Sequence, residues 1–130
     1  MPAIVNVRTT SRNEMVDITS MVQIEVSKSG VTDGICVVYV PHTTAGVTIN
    51  EGADPDVCHD IITKLNQMVP PNAGYRHSEG NSDSHIKASL IGGSVSVLVE
   101  GGRLVLGTWQ KIFFCEFDGP RSRKVFVKTA

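Results

Sequence analysis

Apolar and polar residues alternate from the first turn of the chain, and Ile4, Val5, Asn6 and Val7 predict an opening strand over Ala3 to Thr9. A second strand over Met15 to Ile18 follows the polar turn Ser11-Arg12-Asn13. The period then lengthens. Val22 and Val26 lie four apart, Thr19 can cap their start and Gly30 can end them, so Ser20 to Ser29 is predicted helical. Gly34 to Val40 is a β-branched run stopped by Pro41, and Ala45 to Asn50 resumes a short strand. Asp54 as cap, Pro55 at the first helical position and the stripe Val57, Ile61, Leu65, Met68 mark the clearest helix. Pro70 to Gly74 closes it.

A polar stretch of loop then carries His77 and Asn81, and Ser84 can cap a short helix over His85 to Ile91 that ends at Gly92-Gly93. Ser94 to Glu100, Arg103 to Leu106, Trp109 to Phe117 and Lys124 to Lys128 are predicted strands joined by Gly-rich turns, as in an antiparallel meander. About seven strands and three helices with short connections predict a single α+β domain built on antiparallel sheet. If Phe113 and Phe117 face the core, then Gln110, Ile112, Phe114 and Glu116 line the opposite side of their strand. Two large apolar residues there require a cover, and an oligomer interface is the predicted one.

Composition narrows the function classes. With 130 residues, of which 41% are hydrophobic, one domain can bury its own core. Twelve basic side chains against thirteen acidic ones leave a net charge of −1, so no bulk field recruits nucleic acid or an anionic membrane. No stretch of about 18 apolar residues occurs. Cys36, Cys58 and Cys115 sit in apolar stretches without a C-x-x-C pair, which predicts three buried thiols and a cytoplasmic location. Trp109, the single Trp, is expected to pack in the core.

The candidate chemistry centres on three histidines set among polar residues: His42, His77 and His85. Imidazole moves protons near neutral pH and binds transition metals, and a mixed nitrogen and oxygen donor set suits zinc, manganese or iron. Thr43 and Thr44 offer hydroxyls for an anion such as phosphate beside His42. Asp54 is expected to serve the helix cap, which leaves Glu51, just before the helix, as the better candidate base or metal ligand. Arg121, at a turn, can clamp a phosphate through paired N–H donors. His59, within the central helix, is assigned to the surface or to packing. Phosphate-loop, dinucleotide and nucleophile-elbow motifs are absent.

Taken in order, Pro41-His42-Thr43-Thr44-Ala45, Thr48-Ile49-Asn50-Glu51, Ala53-Asp54-Pro55-Asp56-Val57, Tyr75-Arg76-His77, Asn81-Ser82-Asp83-Ser84-His85, Leu106 to Gln110 and Cys115 to Arg121 resemble the YjbQ-like family. That family often carries the label secondary thiamine-phosphate synthase. The resemblance implies an α+β fold assembled as a homotrimer, with a polar cleft near the subunit boundary, and a divalent metal, zinc or similar. It also implies a thiamine-phosphate synthase-like transferase acting on small phosphorylated metabolites. Mapped onto this chain, the family's polar positions fall on His42, Asn50, Glu51, His77, Asn81, His85, Gln110 and Glu116. The expected roles are catalysis by His42, Glu51, Glu116 and Arg121; substrate binding by Thr43, Thr44, Asn50, Asn81 and Gln110; and metal binding by His42, His77 and His85. A metal-dependent phosphate-ester hydrolase and a non-catalytic trimeric binding module are the alternative expectations.

Overall fold

Strands with one apolar face need a second layer, and this chain supplies it from within itself. In the computed structural model, which describes residues 1–130, eight strands and three helices form two antiparallel sheets. The first sheet has the order β1 (Ala3–Arg8), β8 (Ser122–Thr129), β3 (Asp33–Tyr39), β5 (Ser94–Glu100), β6 (Arg103–Leu104). The second has the order β2 (Glu14–Asp17), β7 (Gln110–Glu116), β4 (Ala45–Glu51). Helices α1 (Thr19–Ser29), α2 (Pro55–Met68) and α3 (Ser82–Ile91) complete the domain.

The C-terminal half is therefore no simple meander. Only β5 and β6 form a hairpin; β7 crosses to the second sheet, and β8 returns between β1 and β3. This crossing accounts for the double-sided apolar pattern of β7. Ile112 and Phe114 face the main core with Val5, Val38, Val47 and Val125, while Phe113, Cys115 and Phe117 meet Ala88 and the half-buried Cys58, Leu65 and Ile91 of the helices. The cover predicted from an oligomer is thus the first sheet of the same chain.

Local rules explain most element boundaries. Asp54 Oδ1 accepts the Asp56 N–H at 2.9 Å and Pro55 opens α2, as its sequence predicts, although Met68 ends that helix in solvent. Gly30 closes α1 at φ 75°, in the left-handed region that favours glycine. Thr19 is not the cap of α1: its N–H binds the Asp17 carboxylate and its Oγ accepts from the Ile112 N–H, tying the helix to β7. Helix α3 starts three residues earlier than predicted, at Ser82, because Ser84 spends its hydroxyl on the Phe117 carbonyl instead of capping. Trp109 is exposed in the turn before β7, and Cys58 is only half-buried. All three cysteines are free thiols; burial pushes Cys36 up to about 11 and, with some repulsion from Cys58, Cys115 up to about 12. No helix is long and apolar enough to cross a membrane.

The first sheet also exposes apolar residues on its outer face, among polar ones. On β3, Cys36 and Val38 point into the core while Ile35, Val37 and Tyr39 are exposed. Ile4, Leu98 and Val105 are exposed too, and the register sets Ile4 opposite Phe126, Phe126 opposite Tyr39, and Ile35 opposite Leu98. The outer face therefore carries two apolar patches, Ile4-Phe126-Tyr39 across β1, β8 and β3, and Ile35-Leu98 across β3 and β5, four residues apart along β3.

Candidate functional site

Pro41 breaks β3 just past Tyr39, the last β3 residue in register with β8, and leaves the Lys124 N–H without a strand partner on that side. His42 fills the gap: its Nε2 accepts the Lys124 N–H at 3.0 Å. The ring hydrogen of the neutral imidazole must then sit on Nδ1, on a residue that lines a cleft. Burial, then the positive charge of Arg123, hold its pKa below the ordinary 6.5, against smaller opposing effects of the Lys124 contact and Glu116.

His85, on the first turns of α3, borders two clefts. On one side a cleft of about 330 Å³ is lined by His42, Thr43, Ser89 and Gly93. On the other a cleft of about 390 Å³ is lined by Tyr75, Arg76, His77, Ser82 and Ile86. His77 packs edge-on against His85, with ring centroids 5.5 Å apart, and its Nε2 lies 3.7 Å from Glu79. The structure thus brings His42, His77 and His85 to one end of the molecule, with His85 between the other two. Arg76 makes no ion pair and leaves its guanidinium free for a ligand in the second cleft.

Glu116 is fully buried behind this end. Its carboxylate accepts from Arg123 Nε at 2.8 Å and from Arg123 Nη2, from Thr9 Oγ at 2.8 Å, and from the backbone N–H groups of Phe117 and Asp118. Burial alone would raise its pKa, but the Arg123 hydrogen bonds and the backbone donors hold it below 4.5. With both oxygens committed and no solvent access, Glu116 is a structural anchor and not the catalytic group its place in the motif suggests. Thr44 is likewise turned inward: it is buried, and its Oγ accepts from Arg123 Nη2 at 2.9 Å. Thr43 stays exposed in the cleft. Arg121 is exposed, and its Nε and Nη2 bind Asp118, the carboxylate that also receives the Asn81 amide at 2.9 Å. Asn81 Oδ1 is buried with no partner.

Asn50, Glu51 and Gln110 do not join this group within one chain. They lie at the far end of β4, where Glu51 pairs in register with Gln110, roughly 15 to 20 Å along the strand from Ala45. There they serve local turns: Glu51 Oε2 accepts the Ala53 N–H, Asn50 Oδ1 the Glu51 N–H, and Gln110 Oε1 the Gly107 N–H.

The family model for UPF0047 protein YjbQ-like matches residues 3–130. The chain belongs to the YjbQ/UPF0047 family. A UPF0047 protein of Methanocaldococcus jannaschii is 56% identical over 122 residues, covering 94% of this chain and 88% of its own. The UPF0047 protein YugU of Bacillus subtilis is 50% identical over 123 residues, covering 94% and 93%. Among solved structures, a conserved yjbq/upf0047 family protein from Clostridium acetobutylicum superposes with TM-score 0.97 at 53% identity, covering 98% of this chain and 99% of that one. A YbjQ-like protein of unknown function from Sulfolobus solfataricus superposes with TM-score 0.94 at 37% identity, covering 98% and 94%. The YjbQ fold is therefore shared at high similarity, and function has to be argued from the site.

For a YjbQ-like chain the expected metal set was three histidines. Within the chain no three His, Cys, Asp or Glu side chains converge as a metal site. His42 does not fit: one nitrogen accepts from Lys124 and the other carries the hydrogen, so the neutral ring has no lone pair to give. His77 and His85 keep theirs.

Buried charges to which the sequence gives no structural role hold the site in place. Asp83, fully buried, accepts both Nη groups of Arg12 at 3.0 Å and Lys87 Nζ at 3.1 Å, and Lys87 also donates to Asn66 at 2.6 Å. Burial opposes charge on Asp83, but hydrogen bonds to Arg12 and Lys87 hold its pKa below 3.8. Arg123, paired with Glu116, is another. Asp83 and Lys87 are an i, i+4 pair, a signal hidden by starting the helix at His85.

Proposed function

We propose that the protein is a thiamine-phosphate synthase-like transferase that joins a pyrimidine pyrophosphate to a thiazole phosphate and releases pyrophosphate. The observation that carries this reading is the pair of adjoining open clefts that share His85, which can hold two small substrates side by side with their reacting atoms at the shared edge. In this chemistry the bond from the pyrimidine methylene to the pyrophosphate oxygen breaks, that oxygen keeps the electron pair, and the thiazole nitrogen forms the new bond to carbon. Charge develops on the departing pyrophosphate. Donors already aimed at that charge lower the barrier, and the Nδ1–H of neutral His42, with Thr43 beside it, suits that role. Arg76 suits the phosphate of the second substrate. A divalent cation held by His77 and His85, with substrate phosphates completing its shell, would add Lewis-acid neutralisation of the same charge.

The reading includes assembly as a homotrimer through the outer face of the first sheet. The exposed apolar patches Ile4-Phe126-Tyr39 and Ile35-Leu98 on that face support it, because large apolar side chains grouped on a sheet face favour a cover. His42 sits at the edge of that face, beside Lys124, so a neighbour packed there can bring its own Asn50, Glu51 and Gln110 toward the cleft. Free thiols and phosphorylated substrates accord with a cytoplasmic setting.

The test is product formation by the purified protein supplied with both substrates, with and without a divalent cation. Thiamine phosphate should form, and His85→Ala should reduce the rate by about 100-fold or more. No product above the His85→Ala background overturns the reading, and phosphate or pyrophosphate release from one substrate alone replaces it with a hydrolase.

A further inference from the structure

Beyond the two clefts, the corner where the end of β1 meets the start of β8 holds a small concavity of about 290 Å³ lined by Arg8, Thr9, Pro120, Arg121 and Ser122. No carboxylate lines it. Arg8 is exposed and makes no ion pair or side-chain hydrogen bond, so its guanidinium is uncompensated. Arg121 is already oriented: Nε donates to the Asp118 carbonyl at 2.7 Å and Nη2 to the Asp118 carboxylate at 3.0 Å. Of its five N–H donors these contacts use two, and the Nη1 side is left free for a ligand. The floor is fixed as well. Thr9 and Arg121 exchange backbone hydrogen bonds with each other's backbone and hydroxyl groups, and Thr9 Oγ anchors on the buried Glu116. Register pairs Arg8 with Ser122, whose hydroxyl has no protein partner.

We infer that Arg8, Arg121 and Ser122 form a phosphate subsite that takes one phosphoryl group of a diphosphate. Two guanidinium groups and a hydroxyl on a rigid turn match the planar, bidentate recognition that phosphate oxygens favour. Lys124, two residues beyond Ser122 on the same outer face of β8, bonds His42 through its backbone, so the corner lies one strand step from the cleft. Arg121 is near enough to contribute to the charge environment of His42. The inference rests on the transferase reading for the identity of the ligand as released pyrophosphate, and on the corner's own geometry for the site.

The experiment is titration of the full-length protein with inorganic pyrophosphate and, separately, inorganic phosphate, by calorimetry and amide NMR, for wild type, Arg8→Ala, Arg8→Lys and Lys64→Ala. Pyrophosphate should shift the amides of Arg8, Thr9, Arg121 and Ser122, and Arg8→Ala should weaken it at least fivefold. Arg8→Lys should recover part of the loss, and Lys64→Ala, on the exposed face of α2, should bind as wild type. Arg8→Ala binding pyrophosphate as tightly as wild type overturns the subsite, as does equal weakening by Arg8→Ala and Lys64→Ala, which marks a diffuse charge effect. The two readings fail separately: wild type that makes no product while Arg8→Ala loses pyrophosphate leaves the subsite standing, and active wild type with unaffected Arg8→Ala binding leaves only the transferase.

Discussion

Replacing Glu116 with Gln removes the one negative charge that balances Arg123 inside the domain. Glu116 is fully buried and Arg123 nearly so, with two hydrogen bonds joining them and three further donors on the carboxylate. Breaking one side of a buried, hydrogen-bonded pair costs about 3 to 5 kcal/mol, because the partner charge stays buried and unpaired. A 130-residue domain has an unfolding entropy near ~0.27 kcal/mol/K, so a loss of ~4 kcal/mol lowers Tm by roughly 15 °C. The pH dependence has a definite sign. The folded pKa of Glu116 lies below its ordinary 4.5, so its contribution is present in full above that range and is lost as pH falls through the lower folded value. Thermal and urea unfolding at fixed protomer concentration, at pH 7 and pH 3.5, measure both effects. The double variant Glu116→Leu with Arg123→Met should be more stable than Glu116→Leu alone yet short of wild type, since the Phe117 and Asp118 amides still lose their acceptor. A Glu116→Gln protein with wild-type stability and no activity would refute the structural role and return Glu116 to catalysis.

The other predictions probe separate parts of the molecule. Asp83→Ala should destabilise by about 3 to 5 kcal/mol through the stranded Lys87 and Arg12 charges, and adding Lys87→Met should restore part of the loss in urea unfolding. His42 should titrate below 6.5 by NMR with its hydrogen on Nδ1; a pKa at or above 6.5, or hydrogen on Nε2, would remove the Lys124 contact from the account. Leu98→Glu on the outer sheet face should shift the species seen by light scattering from trimer to protomer, and an unchanged mass would place any interface elsewhere. Gly46→Ala should disturb β4 beside the first cleft, because a Cβ there would lie 2.6 Å from the Gly92 carbonyl oxygen, and a Tm within about 1 °C of wild type would contradict that crowding.

Much of the fold was legible because its signals are local. The alternation in β1 and β3, the Asp54-Pro55 start of α2 and the glycine after α1 each report on a few neighbouring residues, and each element formed within a residue or two of its predicted limits. The sheet order was not legible, because whether β7 joins β8 or crosses to β2 and β4 depends on what covers its second face. The residues Ile112, Phe113, Phe114 and Cys115 state that both faces are apolar, and they do not state that the partner layer lies in the same chain. Ile112 and Phe114 need no oligomer to cover them, since the first sheet of the same chain does so; the outer side of that sheet, with Tyr39 and Leu98, is the one left open.

The candidate site divides along the same line. His42, His77 and His85 were found by residue type and do cluster at one end, since chemistry-bearing side chains set on strand ends and loops are conspicuous against an alternating background. What each can do was hidden, because it depends on partners distant in sequence. Lys124, 82 residues on, fixes the tautomer of His42, and Arg123, 79 residues beyond Thr44, takes the hydroxyl expected to bind substrate. Glu116 shows the limit most clearly. A carboxylate on a motif strand reads as catalytic until Arg123, Thr9 and two backbone amides are seen to occupy both of its oxygens. The same motif therefore holds two kinds of residue. Groups with unspent donors or lone pairs facing the clefts are free to act on a ligand, while Glu116 and Thr44 keep the wall behind them in place.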